Sequence, residues 1–234
     1  MIVQSVADAR EAARGGADRL EVVRAIRDGG LTPPVSLVRA IAAETSLPLR
    51  VMVRENAGYA TNGRELPALR RAIGEFAALH VDGIVIGFAR AGKPALDDLT
   101  DALEGEPGVR VTFHRAFDQL RDPIGAIGEL AAIAQVDRIL TSGGAGTAAM
   151  RCERLREHAA RAGGRFELIA GGGVDDEALA LFAREGCVRE VHVGRAAREH
   201  GDQEGPVSAA CVRRLRELAS TPARTKRAPG TPAG

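Results

Sequence analysis

The chain has no tryptophan, one tyrosine and six phenylalanines in 234 residues, so aromatics make up only 3% of it. Single-strand nucleic-acid platforms stack bases on aromatic side chains, and this chain has little to build one from. It also lacks a charge bias. Thirty-two Lys and Arg stand against 31 Asp and Glu, a net +1, which leaves no global field to draw it to nucleic acid or a membrane surface. Cysteine is scarce: Cys152, Cys187 and Cys211 lie far apart. Their odd number, with no CxxC or Cys/His pair at metal-site spacing, argues against a disulfide framework or a zinc site. They read as small apolar fillers. No run approaches the ~20 apolar residues that span a bilayer. The opening MIVQSVADAREAARGG shows no basic stretch followed by an apolar one, as a secretory signal would. The expected location is cytoplasmic, with neither membrane nor nucleic acid as a partner.

What remains is a 45% hydrophobic chain whose core must come from Val, Ile, Leu and Ala. Short apolar or alternating runs recur at 2–6, 19–23, 47–53, 82–88, 109–114, 137–142, 166–171 and 190–194. Helix-period segments separate them, from ADAREAARGG at the start to PVSAACVRRLRELA at the end. Pro33, Pro123 and Pro206 stand near helix starts, and Gly15, Gly105, Gly163 and Gly186 near helix ends, the usual punctuation. Strict alternation of strand and helix implies a parallel sheet with helical crossovers. Eight units in this length predict an α/β fold, a single (β/α)8 TIM-type barrel over residues 1–219, with a doubly wound open sheet as the alternative. From Ser220 the chain reads STPARTKRAPGTPAG, proline-rich and aperiodic, a composition expected of a disordered tail over 220–234.

In such a barrel, side chains at the C-terminal strand ends and in the loops that follow converge on one pocket. Those positions hold Glu21, Arg54 and Glu55, then His114, Arg115 and Asp118 within VTFHRAFD, then Thr141, Ser142, Gly143 and Gly144. AGGGV (170–174) and VGRAAR (193–198) add Gly171, Gly172 and Gly173, and His192, Gly194 and Arg195. Alternation turns Arg50, Met52 and Arg54 to one face of their strand, and Arg110, Thr112 and His114 to one face of theirs. Ionisable groups in an enclosed space must pair, shift pKa or hold a ligand. Glu21 therefore has two readings, a salt bridge to Arg54 or Arg110, or a place in the chemistry. His114 is a candidate general acid/base held by Asp118 or Glu21, or else a satisfied core residue. The glycine runs let backbone N–H groups approach an oxyanion, helped by a short helix near Arg195. They could also be tight turns. His80 and His158 stand at no strand end and read as surface or helix residues.

The chain has two lysines, Lys93 and Lys226, neither at a strand end, which disfavours Schiff-base chemistry. With no evident nucleophile or metal triad, an isomerase- or lyase-type proton transfer on a small phosphorylated or anionic compound fits better than hydrolysis. In that reading Arg54 or Arg115 acts as an electrostatic clamp.

Taken in order, GGADRLEV (15–22), DGGLTPP (28–34), VTFHRAFD (111–118), ILTSGG (139–144), AGGGV (170–174) and EVHVGRA (190–196) resemble the CutC family. The resemblance runs from Met1 to about Ala219. It implies a (β/α)8-type barrel, a cytoplasmic location, a dimer or higher oligomer, and a role in copper homeostasis with Cu(I) as the bound ion. Family members typically carry Glu and Cys on the first strand and a Glu-Leu-Cys-like run on the second. Here those strands read MIVQSV and Leu20-Glu21-Val22-Val23, so the thiolates that soft Cu(I) prefers are missing and Met52 is the one soft atom expected in the lumen.

Overall fold

Each of the eight apolar runs forms a strand, and each crossover a helix. The computed structural model describes residues 1–220. Its elements are β1 (Ile2–Val3), α1 (Val6–Gly15), β2 (Leu20–Val22), α2 (Val35–Glu44), β3 (Leu49–Met52), α3 (Leu66–Ala77), β4 (Gly83–Ile86) and a hairpin of β5 (Ala89–Arg90) and β6 (Lys93–Pro94). There follow α4 (Leu96–Ala102), β7 (Val111–Phe113), α5 (Pro123–Leu130), β8 (Val136–Thr141), α6 (Ala148–Ala162), β9 (Glu167–Ala170), α7 (Asp176–Glu185), β10 (Glu190–Val191) and α8 (Ala209–Ala219). Eight parallel strands run in the order β1-β2-β3-β4-β7-β8-β9-β10. The Ile2 N–H donates to the Val193 carbonyl at 3.0 Å, joining the two ends of the sheet. The result is the α/β barrel expected from the alternation.

The caps follow local chemistry. Ser5, Asp122, Thr147 and Asp175 each accept a backbone N–H in the first turn of the helix they precede, as short polar N-caps do. Gly163 and Gly186 close α6 and α7 in the left-handed region, where a Cβ is costly. The small antiparallel hairpin was not legible in the sequence. Its strands are two residues each, too short to show a period, and its turn uses Ala91 and Gly92, both at positive φ. The expected 220–234 tail falls outside the described residues except for Ser220, which caps α8.

Most of the core lies between sheet and helices, where Phe76, Phe113, Phe117 and Phe182 are fully buried. The lumen is different. Its apolar part is a separate small cluster of Val23, Ile26, Met52 and Val85. Towards the N-terminal strand ends an ionic layer replaces the branched aliphatics that usually fill a barrel. Arg50, 2% exposed, donates to Asp82 at 2.7 Å and forks onto Asp137 at 2.9 and 2.6 Å. Arg19 bridges Asp82 and Glu190, and Arg138 bridges Asp137 and Glu190. Arg110 also pairs with Asp82, at the outer edge of this layer, so it stands at the opposite end of the barrel from the pocket and far from pairing with Glu21.

Candidate functional site

The C-terminal strand ends open into a cavity of about 660 Å³, within the range of small-molecule pockets. Nine of the sixteen residues expected at the mouth line it. Glu21 comes from β2 itself, Arg54, His114 and Arg115 from the loops after β3 and β7, and Gly172, Gly173, His192, Gly194 and Arg195 from those after β9 and β10. Glu55, Gly144 and Gly171 do not line it, and neither do Asp118, Thr141, Ser142 and Gly143, which form a bracket behind it. Asp118 accepts from the Thr141 hydroxyl at 2.7 Å, the Ser142 N–H at 3.0 Å and the Arg115 guanidinium at 2.9 Å. Thr141 in turn accepts the Gly143 N–H at 3.1 Å. Asp118 thus clamps the loop after β7 to the end of β8, and it makes no hydrogen bond to His114.

His114 is 3% exposed and caps a 3-10 turn, its Nδ1 accepting the Ala116 N–H at 3.2 Å. An acceptor nitrogen carries no proton, so the neutral ring bears its hydrogen on Nε2. Tyr59 meets the ring edge-on at 5.4 Å. Burial pushes the His114 pKa down to about 3, helped by the positive charges of Arg54 and Arg115 and opposed by Glu21. The ring is therefore an N–H donor across the physiological range. The expected general acid/base becomes a hydrogen-bond donor whose basic nitrogen is already taken.

Glu21 pairs with neither arginine proposed for it. Its Oε2 lies 3.1 Å from His192 Nε2, off the line of the ring N–H, so that buried Nε2 has no aligned hydrogen bond among the described residues. Close charge without alignment is an ion pair when the ring is protonated. Burial pushes the Glu21 carboxyl up, and His192 first, with the N-terminal amine and His114, together outweigh it, leaving the carboxyl below its ordinary range.

Arg54 is buried and lowered by desolvation. It stacks over Tyr59 at 4.7 Å and donates to the carbonyls of Ala57, Gly58 (3.1 Å) and Gly29 (3.3 Å). Much of its hydrogen-bonding capacity therefore anchors the loops after β2 and β3. The helix expected at Arg195 is a three-residue 3-10 turn, Arg195–Ala197, too short to carry a macrodipole. Gly172 and Gly173 do take positive φ, 77° and 63°. Among the described residues, the N–H groups of Gly172, Gly173, Gly194 and Arg195 donate to no acceptor.

Several residues that shape the mouth were not singled out from the sequence. Arg151 on α6 is buried and holds the glycine loop from below, donating to the carbonyls of Ser142 (2.6 Å) and Gly172 (2.9 Å). Arg198, 2% exposed, pairs with Asp8 at 3.2 Å and donates to the Gly205 carbonyl at 2.6 Å. The available signal was an arginine on the apolar stripe of a helix or in a run of small residues, which reads equally well as a surface charge. His158 lies on a helix, α6, one of the two places expected for it, with its ring turned inward. It packs edge-on against Phe117 at 5.5 Å, and burial lowers its pKa.

The pH dependence of stability follows from His114. Unfolded, the ring takes a proton below its ordinary 6.5; folded, it resists down to about 3. The unfolded state then binds more protons, so stability is retained above pH 6.5 and lost as pH falls below it. By pH 5 the loss should be about 2 kcal/mol. His114→Asn keeps an acceptor for the Ala116 N–H but does not titrate. Chemical denaturation at pH 7.5 and 5.0 should show a shallower loss in this variant than in the wild type. Equal slopes would refute the buried neutral ring. His158 adds to the same window in both proteins and cancels.

The donors present decide the copper expectation. No group of three or more His, Cys, Asp or Glu side chains able to hold a metal ion occurs among the described residues. Val23 is buried in the apolar lumen cluster beside Met52. Cys152 and Cys187 are buried together on the helical side of the barrel, where burial first and Cys152 second push the Cys187 thiol up to about 12. That is the wrong protonation state for a ligand thiolate. Only Cys211, on α8, reaches the cavity. These residues do not fit a Cu(I) centre.

Among the described residues, no helix is long and apolar enough to cross a membrane. A CutC family protein of Caulobacter vibrioides is 36% identical over 192 residues, 81% of this chain and 78% of the relative. The solved structure of the CutC copper homeostasis protein from Streptococcus agalactiae matches with a TM-score of 0.75 at 22% identity, covering 82% of this chain and 95% of that one. Orotidine 5'-phosphate decarboxylase of Pyrococcus horikoshii matches at 0.62 and 14% identity, over 94% and 100% of the two chains. Identities this low show a shared fold and nothing more. The model of the CutC family matches residues 1–197, and with the relative at 36% identity it establishes that this chain belongs to the CutC family, named for copper homeostasis.

Proposed function

We propose that this barrel binds a small anionic, phosphorylated compound in the mouth cavity, and that its copper association is a matter of family name. The carrying observation is the pairing of cation excess with free backbone donors. Five arginines (Arg54, Arg115, Arg195, Arg198 and Arg214) line the cavity with three acids, Glu21, Asp175 and Asp176. Arg115, Arg198 and Arg214 are paired with Asp118, Asp8 and Asp176, while Arg54 and Arg195 face no carboxylate partner among the described residues. On one side of it, the N–H groups of the two glycine loops have no described acceptor. Cationic side chains and convergent N–H groups are what an oxyanion needs. Arg115 belongs to this subsite by position: a Cβ on Gly172 would come within 2.9 Å of its guanidinium carbon. The wall formed by Ile2, Ile26 and Met52 suits the carbon skeleton of the same molecule. Oligomeric assembly and a cytoplasmic location belong to this proposal on family grounds.

The test is the thermal midpoint of the full chain with inorganic phosphate, a panel of sugar phosphates, and Cu(I) buffered by a chelator. A ligand at 100 times its Kd stabilises by about 2.7 kcal/mol. Arg115→Ala should weaken phosphate binding about tenfold, near 1.4 kcal/mol, a modest value for one charge-assisted contact. Stabilisation by Cu(I) alone would overturn the proposal. It would place a copper site around Met52, His114 and His192, which line the same cavity.

A further inference from the structure

A carboxylate and a neutral imidazole N–H that line one cavity form the machinery for moving a proton from carbon. We infer that the barrel enolises a small phosphorylated α-hydroxy aldehyde or ketone, with Glu21 taking the proton from carbon and the Nε2–H of His114 holding the oxygen. This rests on the anion-binding reading above and assigns that cavity a substrate class and a reaction.

Only one ring nitrogen of His114 is free. The Ala116 N–H occupies His114 Nδ1 at 3.2 Å, so Nε2 carries the proton, and Nε2 makes no hydrogen bond to any other described residue. A neutral ring that donates can stabilise an oxyanion by a hydrogen bond better matched to an enediolate than an imidazolium, which would protonate it outright. The backbone N–H that fixes the tautomer comes from the residues of the 3-10 turn, the same local geometry that makes His114 an N-cap. The ring is further held by Tyr59 at its edge. Its orientation is therefore set before any ligand arrives, as preorganised stabilisation requires.

Glu21 supplies the other half. It is 7% exposed, sits on β2 at the floor of the cavity, and has one close polar neighbour in the lumen, His192 at 3.1 Å without an aligned hydrogen bond. A buried carboxylate accepting no side-chain hydrogen bond retains lone pairs for a proton from substrate. Ile2, the register partner of Glu21 on β1, and Met52 give the same cavity an apolar wall, which suits a C–H group better than a hydrated polar one. The phosphate on the glycine loops would orient the substrate across the floor.

The step balances without a co-reactant. The α C–H bond breaks as its proton passes to a Glu21 carboxylate oxygen. The bonding pair forms the C=C bond, and the carbonyl π pair moves onto oxygen, where the His114 Nε2–H donates to it. Return of the proton to the same carbon regenerates the substrate. Return to the neighbouring carbon, with the hydroxyl proton passing between the two oxygens, interconverts aldose and ketose. Nothing is oxidised or reduced overall. In heavy water the proton held by Glu21 exchanges with solvent, so enolisation leaves deuterium on carbon.

The experiment incubates the full chain in D2O with three- to five-carbon aldose and ketose phosphates and follows the α-proton signal by NMR. The thermal midpoint of each mixture is recorded in parallel. The wild type should exchange the α-proton of at least one compound that also raises its midpoint. Glu21→Gln, which keeps the shape, should lose exchange about a thousandfold while the compound still raises the midpoint. His114→Asn should lose it about a hundredfold. Glu21→Asp keeps a carboxylate and guards against a folding defect: it should retain measurable exchange. A midpoint shift with no exchange would overturn the enolisation and leave the anion-binding reading standing. Exchange that survives Glu21→Gln would transfer the base to another residue and overturn the assignment. No shift with any of these phosphates would overturn both.

Discussion

Arg50→Ala should destabilise the barrel by about 3–5 kcal/mol, the cost typical of removing one partner of a buried ion pair. The Arg50 side chain is 3% exposed, and the carboxylates it serves, Asp82 and Asp137, are 11% and 26% exposed. Burial pushes the Asp82 carboxyl up, and the hydrogen bond and charge of Arg50 bring it below its usual range, with Arg110 and Arg19 contributing less. Without Arg50, Asp82 keeps those two weaker partners, while Asp137 keeps only Arg138. Partial solvation of Asp137 places the expected loss at the lower end of that range. Arg50→Met separates charge from volume. It refills much of the space but leaves the same carboxylates short, so its urea midpoint should fall nearly as far as that of the alanine variant. Recovery of stability in the methionine variant would show that packing, not pairing, is the function of Arg50.

Gly83→Ala should be nearly as damaging, for a reason of space. Gly83 faces the lumen beside Arg50 on the neighbouring strand, their Cα atoms paired in register. A Cβ there would overlap the Arg110 carbonyl oxygen and come within 2.6 Å of an Arg50 guanidinium nitrogen. Overpacking alone costs about 1–3 kcal/mol, and moving Arg50 off Asp137 adds part of the ion-pair loss. The two sites must then couple. In a double-mutant cycle, Gly83→Ala should cost less in the Arg50→Ala background, by about 1 kcal/mol or more. Additive costs would mean that only the backbone clash matters. Purified variants compared by urea denaturation decide this.

The alternation of apolar runs and helix-period segments was enough to place all eight barrel strands, because period and punctuation are local properties. The same alternation put Glu21, His114 and His192 at one end of one barrel. The CutC motifs were equally legible, and so was the absence of cysteine from strands β1 and β2. Partnership was not legible. Residues four apart, such as His114 and Asp118, looked like a couple and are not, since Asp118 spans 23 residues to Thr141. Glu21 meets His192 across 171 residues, on the far side of the closing sheet. Local pattern was enough for the barrel, for the gathering of Glu21, His114 and His192 at one cavity, and for the family. The tertiary structure alone decided which charges meet, that His114 donates rather than accepts, and that Arg151 and Arg198 are interior struts. Period and capping act over a few residues, whereas charge pairing and desolvation act through space, over contacts made only when the barrel closes.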